Sequence, residues 1–396
     1  MRQGSSSRMR LGLTVLICIL FLSFSVGCSR APQQGTPGGV APAVIEIWHT
    51  LQGSEADSLN KQIQHIMDQH PEVLIRTKSI PEAQFAGLIY QAEAGGEGPE
   101  IFIAPQDILT KLYTQGALAP VAGNAEVFPG LVAPFHYGDK TYAQPWLTDS
   151  PLLFYRKDLV QPLGSLTDWL NSKGTMVLPE LNSRTLSTWW SGQGGKLVSS
   201  GRPVLDDPAN LQFLQQLQTW RDNKMITVDP NALIPFASGQ AVYTIALASQ
   251  APAMTQANIP WGSIPLFNVL GGQGQGLPGV TLGIANSSIK TTTALQPSIK
   301  IVEEALLSSE VEGAFAQNGT RFPASTAYYS TADGQKGLAP QVAQALAKVW
   351  PLTGDSLERK LLPLQDAAWQ SAWGGTAPQD ALTQAQTEAV KVSTAK

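Results

Sequence analysis

The chain has 396 residues, a formal charge of −4, only 14% charged side chains and two cysteines. No basic stripe exists to neutralise a phosphate backbone, so nucleic acid is not an expected partner. Cys18 and Cys28 both precede residue 29, which leaves the rest without a thiol for a disulfide, a cysteine-ligated zinc site or a cysteine nucleophile.

Arg2, Arg8 and Arg10 precede an apolar run from Leu11 to Val26, which reads as a secretion signal over residues 1–27. At 16 residues the run is short of the ~20 that span a bilayer. Val26-Gly27-Cys28 resembles a bacterial lipobox, with Ser25 where that motif usually carries Leu, and implies lipid attachment at Cys28. Ordinary cleavage near small residues is the alternative. Residues 28–42, rich in Gly, Pro and Gln, read as a flexible tether. The expected product is exported and held by lipid at the periplasmic or extracellular face of the plasma membrane. Its 369 residues suggest two lobes, at about 150 residues per domain.

Val44 to Trp48 reads as a strand and His49 to Gly53 as a polar turn. A helix should follow, capped by Ser54, with Leu59, Ile63, Ile66 and Met67 on one face. Val73 to Ile75, a helix around Phe85 to Ala94 and a strand ending at Ala104 complete a strand–helix–strand–helix–strand series, the signature of an α/β fold. Parallel strands of this kind put the turns after Trp48 and Ala104 at a common crevice. The middle of the chain repeats the mixed pattern, with Asp207-Pro208 opening a helix that carries Phe213, Leu217 and Trp220. Gly271 to Gly279 reads as an exposed loop before a strand at Val280 to Ile284. Helices dominate from Pro297 onward, with no internal repeat.

The run from Tyr142 to Leu159, Tyr-Ala-Gln-Pro-Trp-Leu-Thr-Asp-Ser-Pro-Leu-Leu-Phe-Tyr-Arg-Lys-Asp-Leu, is similar to a motif of family 1 extracellular solute-binding proteins, the maltose-binding-like receptors of ABC importers. Trp48-His49, Pro99 to Ala104, Phe236 to Val242 and Gly279 to Ser288 match that family in the same order. The resemblance implies an α/β, two-lobed periplasmic-binding-protein fold of class II with a ligand cleft between the lobes. It assigns residues 43–145 and 287–339 to an N-terminal lobe and 146–286 and 340–396 to a C-terminal lobe. It also implies a monomer that captures a di- or small oligosaccharide, or a related glucoside, and delivers it to ABC permease subunits, with no cofactor, metal or catalysis.

A sugar offers hydroxyls at its rim and apolar faces, so carboxylates, amides and aromatic rings are the side chains to look for. Asp149 resembles the family's acidic residue after the hinge, although a turn cap is its alternative role. Trp146 and one of Trp189 and Trp190 are candidates for stacking, against a place in the core. His49, Thr50 and Gln52 follow the first strand. Gln106 and Asp107 follow the third, where they either meet ligand or cap a helix. Gly279, Thr281 and Arg321 match positions at which the family approaches ligand. Trp350, Trp369 and Trp373 either close over the site or pack in the core. A receptor for glycerol 3-phosphate, for which Arg184 and Arg321 would supply charge, and a secreted carbohydrate-active hydrolase are the rival readings.

Overall fold

The computed structural model describes residues 42–122, 126–172 and 174–394. The expected signal at 1–27 and lipidation at Cys28 lie outside the described residues, as does nearly all of the tether.

Two mixed sheets organise the chain. The first contains β1 (Ala43–His49), β2 (Val73–Ser79), β3 (Ile101–Pro105), the short β4 (Leu118–Ala119), β7 (Gln144–Thr148), β15 (Leu282–Ser287) and β16 (Phe322–Pro323). Its order is β16-β7-β15-β3-β1-β2, with β4 beside β15. The β2-β1-β3 portion is parallel, as the alternation with helices predicted, and β15 adds antiparallel to β3. Between β4 and β7 a small hairpin forms from β5 (His136–Tyr137) and β6 (Lys140–Thr141).

The second sheet has the order β12-β9-β13-β8-β14. It is built from β8 (Pro151–Arg156), β9 (Met176–Leu178), β12 (Ile226–Val228), β13 (Tyr243–Leu247) and β14 (Trp261–Ile264). A minor hairpin, β10 (Val198–Ser199) with β11 (Arg202–Pro203), stands apart.

The inner strands β3, β7 and β15 are buried on both faces and read as nearly continuous runs, whereas β1 and β2 towards the edge alternate between buried and more exposed residues. Ile45, Ile47, Ile101, Ile103 and Ile284 face a core shared with Leu59, Ile63 and Ile66 of the helix Gly53–Gln69. Phe102, Ala104 and Ala285 face the other way, against Phe85 and Ile89 of Glu82–Ala94 and Leu109 and Leu112 of Gln106–Thr114. In the second sheet, Leu153, Met176, Leu178 and Ile245 pack against Trp189, Trp190, Phe213 and Trp369. Leu152, Phe154 and Val177 line its opposite face. There they meet Phe128 and Leu131 together with Phe322 of β16, so this core runs across the seam between the lobes.

The chain crosses between sheets at 149–150 and again at 265–281, and after Pro323 it returns to the second lobe, where Leu357–Trp373 and Pro378–Thr394 complete the core. Breaks expected at 145/146 and 286/287 both fall within strands of the first sheet. Pro145 is accommodated in β7 because it pairs with Gly283 at a register shift, where no regular ladder bond is needed.

Helix starts follow local chemistry. Asp207 caps Pro208–Asp222 by accepting from the Ala209 N–H at 3.0 Å, as expected. Ser54 is not a cap, because the helix already begins at Gly53 with Gln52 in the capping position.

Candidate functional site

A cleft of roughly 660 Å³ opens between the two lobes. The first lobe contributes the start of Glu82–Ala94 and, at the carboxyl end of β3, Pro105, Gln106, Asp107 and Lys111. From the second come Asn182, Ser183 and Arg184 at the start of Ser183–Gly192, and Arg359, Leu362, Pro363 and Asp366 from Leu357–Trp373. The crossing segment Leu277 to Thr281 forms the floor and Trp350 supplies one aromatic ring.

The polar groups are held in place. Asp366 accepts the Ser183 backbone N–H at 2.7 Å and the Ser183 hydroxyl, and so ties together the two helices of that wall. Burial pushes its carboxyl above the ordinary range, against the pull of those two bonds and of the Arg184 charge. Asn182 caps the same helix by accepting from the Thr185 N–H at 3.0 Å. Arg359 donates to the carbonyls of Leu352 and Thr353, and its charge interacts with Asp107 opposite. Pro363 has no N–H to offer the Arg359 carbonyl within the helix.

Of the residues singled out in the sequence, Gln106, Asp107, Arg184, Gly279, Thr281 and Trp350 line this cleft. Asp149 lies beneath it, only 3% exposed. Its Oδ1 accepts from the backbone N–H groups of Ser150 at 2.7 Å and Ser249 at 3.3 Å. Gly279 covers it so closely that a Cβ there would stand 2.8 Å from the Asp149 Cβ, which explains the glycine. Burial pushes the Asp149 pKa up to about 6, although the Ser249 and Ser150 bonds and the Arg321 charge pull the other way. In this conformation Asp149 therefore acts as the turn cap rather than a group open to ligand.

The remaining candidates lie elsewhere. Trp146 is fully buried, with Nε1 donating to the Leu306 carbonyl at 2.8 Å and its ring edge-on to Phe315. Trp189 and Trp190 are both core residues. They occupy a helix, where neighbours sit about 100° apart rather than on opposite faces, so one wide apolar stripe buries both. Trp373 is partly buried beside Arg221, whose guanidinium bonds its carbonyl. Neither it nor Arg321 touches the cleft. Arg321 pairs with Glu55 at 2.9 Å and donates to the Val280 carbonyl, so it supports the floor from behind.

His49 and Thr50 are buried, and Gln52 bonds the Ser79 hydroxyl and does not line the cleft. Burial holds the His49 imidazole below its ordinary pKa, against the pull of a backbone hydrogen bond with Leu51. What sequence reading did not reach was the wall made by Asn182, Ser183, Arg359 and Asp366. No local motif marks it, because two helices far apart in the chain make it together.

Two lobes around a polar cleft, with the chain passing between them repeatedly, agree with the comparison by sequence. The profile of the bacterial extracellular solute-binding proteins matches residues 69–341, more than half of the chain. The chain belongs to that family. This solute-binding protein is also similar in fold to solved receptors. It matches the GacH receptor of Streptomyces glaucescens, known unliganded and with acarbose, at 18% identity and a TM-score of 0.71, over 89% of this chain and 99% of that one. The maltose/maltodextrin-binding domain of Bdellovibrio bacteriovorus, bound to maltotriose, matches at 20% identity and 0.67, over 88% and 99%. The sugar-binding protein MalE of Xanthomonas citri matches at 17% and 0.74, over 89% and 97%. No curated protein sequence matches the chain. Among the described residues, no helix is long and apolar enough to cross a membrane and no cluster of His, Cys, Asp and Glu is arranged to hold a metal.

Proposed function

We propose that this solute-binding protein captures a di- or small oligosaccharide, or a related glucoside, between its lobes and delivers it to an ABC permease, tethered to the membrane by lipid at Cys28. The observation that carries the reading is the composition of the cleft. Asp107, Gln106, Asn182, Arg184 and Arg359 offer acceptors and donors of the kind a sugar's hydroxyl rim needs, and Trp350 adds an aromatic ring. Solved receptors of the same fold carry acarbose and maltotriose, which supports a carbohydrate.

Lys111, Arg184 and Arg359 in the same cleft favour a second reading, an anion such as glycerol 3-phosphate. Ligand stabilises the folded state in proportion to occupancy, so a thermal-shift screen over maltose, trehalose, sucrose, glucosylglycerol and glycerol phosphates separates the two. A shift with glycerol phosphate alone would overturn the sugar reading. Recovery of the sugar unchanged after incubation would speak against a hydrolase. With the sugar in hand, Trp350→Ala is expected to weaken binding about tenfold, near 1.4 kcal/mol, through loss of one stacked face. Calorimetry returning wild-type affinity would remove Trp350 from the site.

A further inference from the structure

Gln106 and Arg359 stand on opposite walls of the cleft and are bonded to each other. Arg359 Nη1 donates to Gln106 Oε1 at 2.7 Å. Neither side chain is loosely placed. The guanidinium is fixed by the Leu352 and Thr353 carbonyls, and the Gln106 amide donates to Thr110 Oγ1 at 3.2 Å. Thr110 in turn shares a hydrogen bond with the Tyr137 hydroxyl, and Tyr137 stacks on Tyr113 with 4.0 Å between ring centroids. Gln106 thus belongs to a first-lobe network, whereas the helix that carries Arg359 is rooted in the second-lobe core through Leu361 and Trp369.

A second contact lies beside it. The β5–β6 hairpin of the first lobe leans on the segment that leads into the Arg359 helix. Gly354 N–H donates to the His136 carbonyl at 3.1 Å, and Gly138 N–H points to Asp355 Oδ2 at 3.5 Å. Gly354 is pressed so near the Tyr137 ring that a Cβ would stand 2.3 Å from its Cε1 and 2.8 Å from the Pro134 carbonyl oxygen. These bonds lie away from the crossing segments at 149–150 and 265–281 and beyond the return of the chain after Pro323, so a hinge motion that swings Gln106 and the hairpin away from Leu357–Trp373 breaks them.

We propose that Gln106–Arg359 and the Tyr137–Gly354 contact form a clasp that holds the lobes together without ligand and sets how often the cleft opens to admit one. The inference rests on the reading of the chain as a two-lobed receptor, but not on which solute it takes. A bond from a charged donor shifts a two-state equilibrium by roughly tenfold or more, and ligand entry is scaled by the open fraction. Loosening the clasp speeds association; tightening it slows association.

The test is small-angle X-ray scattering of the unliganded protein, wild type against Gly354→Ala, which wedges the contact from outside the cleft, and Arg359→Met, which removes the donor. Both are expected to scatter as a more extended particle, with the open population raised roughly tenfold. Gln106→Glu, which replaces a neutral acceptor with a charged one, is expected to scatter as the wild type or more compactly. Superposable profiles for the wild type, Gly354→Ala and Arg359→Met, all folded by circular dichroism, would overturn the clasp. Maltose is then the probe for stopped-flow association. Changed scattering without maltose binding leaves the clasp standing and counts against the sugar, and maltose binding with unchanged scattering does the reverse.

Discussion

Replacing Trp146 by alanine should lower the unfolding free energy by about 3–5 kcal/mol, with the ligand affinity of the folded protein unchanged. The indole is fully buried in the first-lobe core, 5.2 Å from the Phe315 ring centre, and its removal leaves a cavity between β7 and the helices behind it. It also strips the Leu306 carbonyl of its donor in a buried place, a cost added to the lost packing. Urea denaturation with an unchanged m-value reads the effect. The opposite pattern, near-normal stability with a tenfold loss of affinity, would return Trp146 to the ligand site.

The second large effect is a pH dependence of stability centred on Asp149. With its pKa pushed up to about 6, Asp149 keeps its proton in the folded protein, whereas in the unfolded chain it releases it near 3.8. Between those values the folded state binds more protons, so stability is greatest on the acid side. It falls as pH rises through the folded pKa, by about 3 kcal/mol at 1.36 kcal/mol per unit. Asp149→Asn keeps an oxygen to accept from the Ser150 and Ser249 N–H groups and removes the titration. Glu312, fully buried with neither carboxylate oxygen bonded among the described residues, is pushed up by burial in the same direction, so the comparison must be between wild type and variant. Their difference in unfolding free energy should change by about 2–3 kcal/mol between about pH 4 and about pH 7. A constant difference would mean that Asp149 is ionised throughout.

The architecture was legible because its signals are local. Periodicity in Val44–Trp48, Leu59–Met67 and Ile101–Ala104 points to a parallel sheet, and the Tyr142–Leu159 run carries the family resemblance. The crevice rule succeeded for Gln106 and Asp107 but failed for His49, whose turn is sealed by a bond from the Thr50 N–H to the Ile103 carbonyl. Tryptophans were the main source of error. Trp146, Trp189 and Trp190 sit beside polar residues in sequence, yet packing on both sheets claims them, and Trp350 is the one tryptophan among the described residues that lines the cleft. Asp149 was found by its motif, but its burial under Gly279 depends on the second crossing of the chain, which has no signature near residue 149. Arg359 and Asp366 were missed for the same reason.

The strand order has a consequence for how the protein is made. β15, from residues 282–287, is inserted between β7 and β3, so the first lobe cannot close its sheet until most of the polypeptide has been synthesised. The second lobe waits longer still, for Trp369 and for Leu382 and Ala389 of the last helix. Neither half can mature independently behind the ribosome. Such distant pairing slows folding, because the loop entropy is lost before the contacts are gained. A nascent chain of this topology lacks its completed sheets through most of its synthesis, a condition that suits a polypeptide of an extracellular family to passage through a narrow pore.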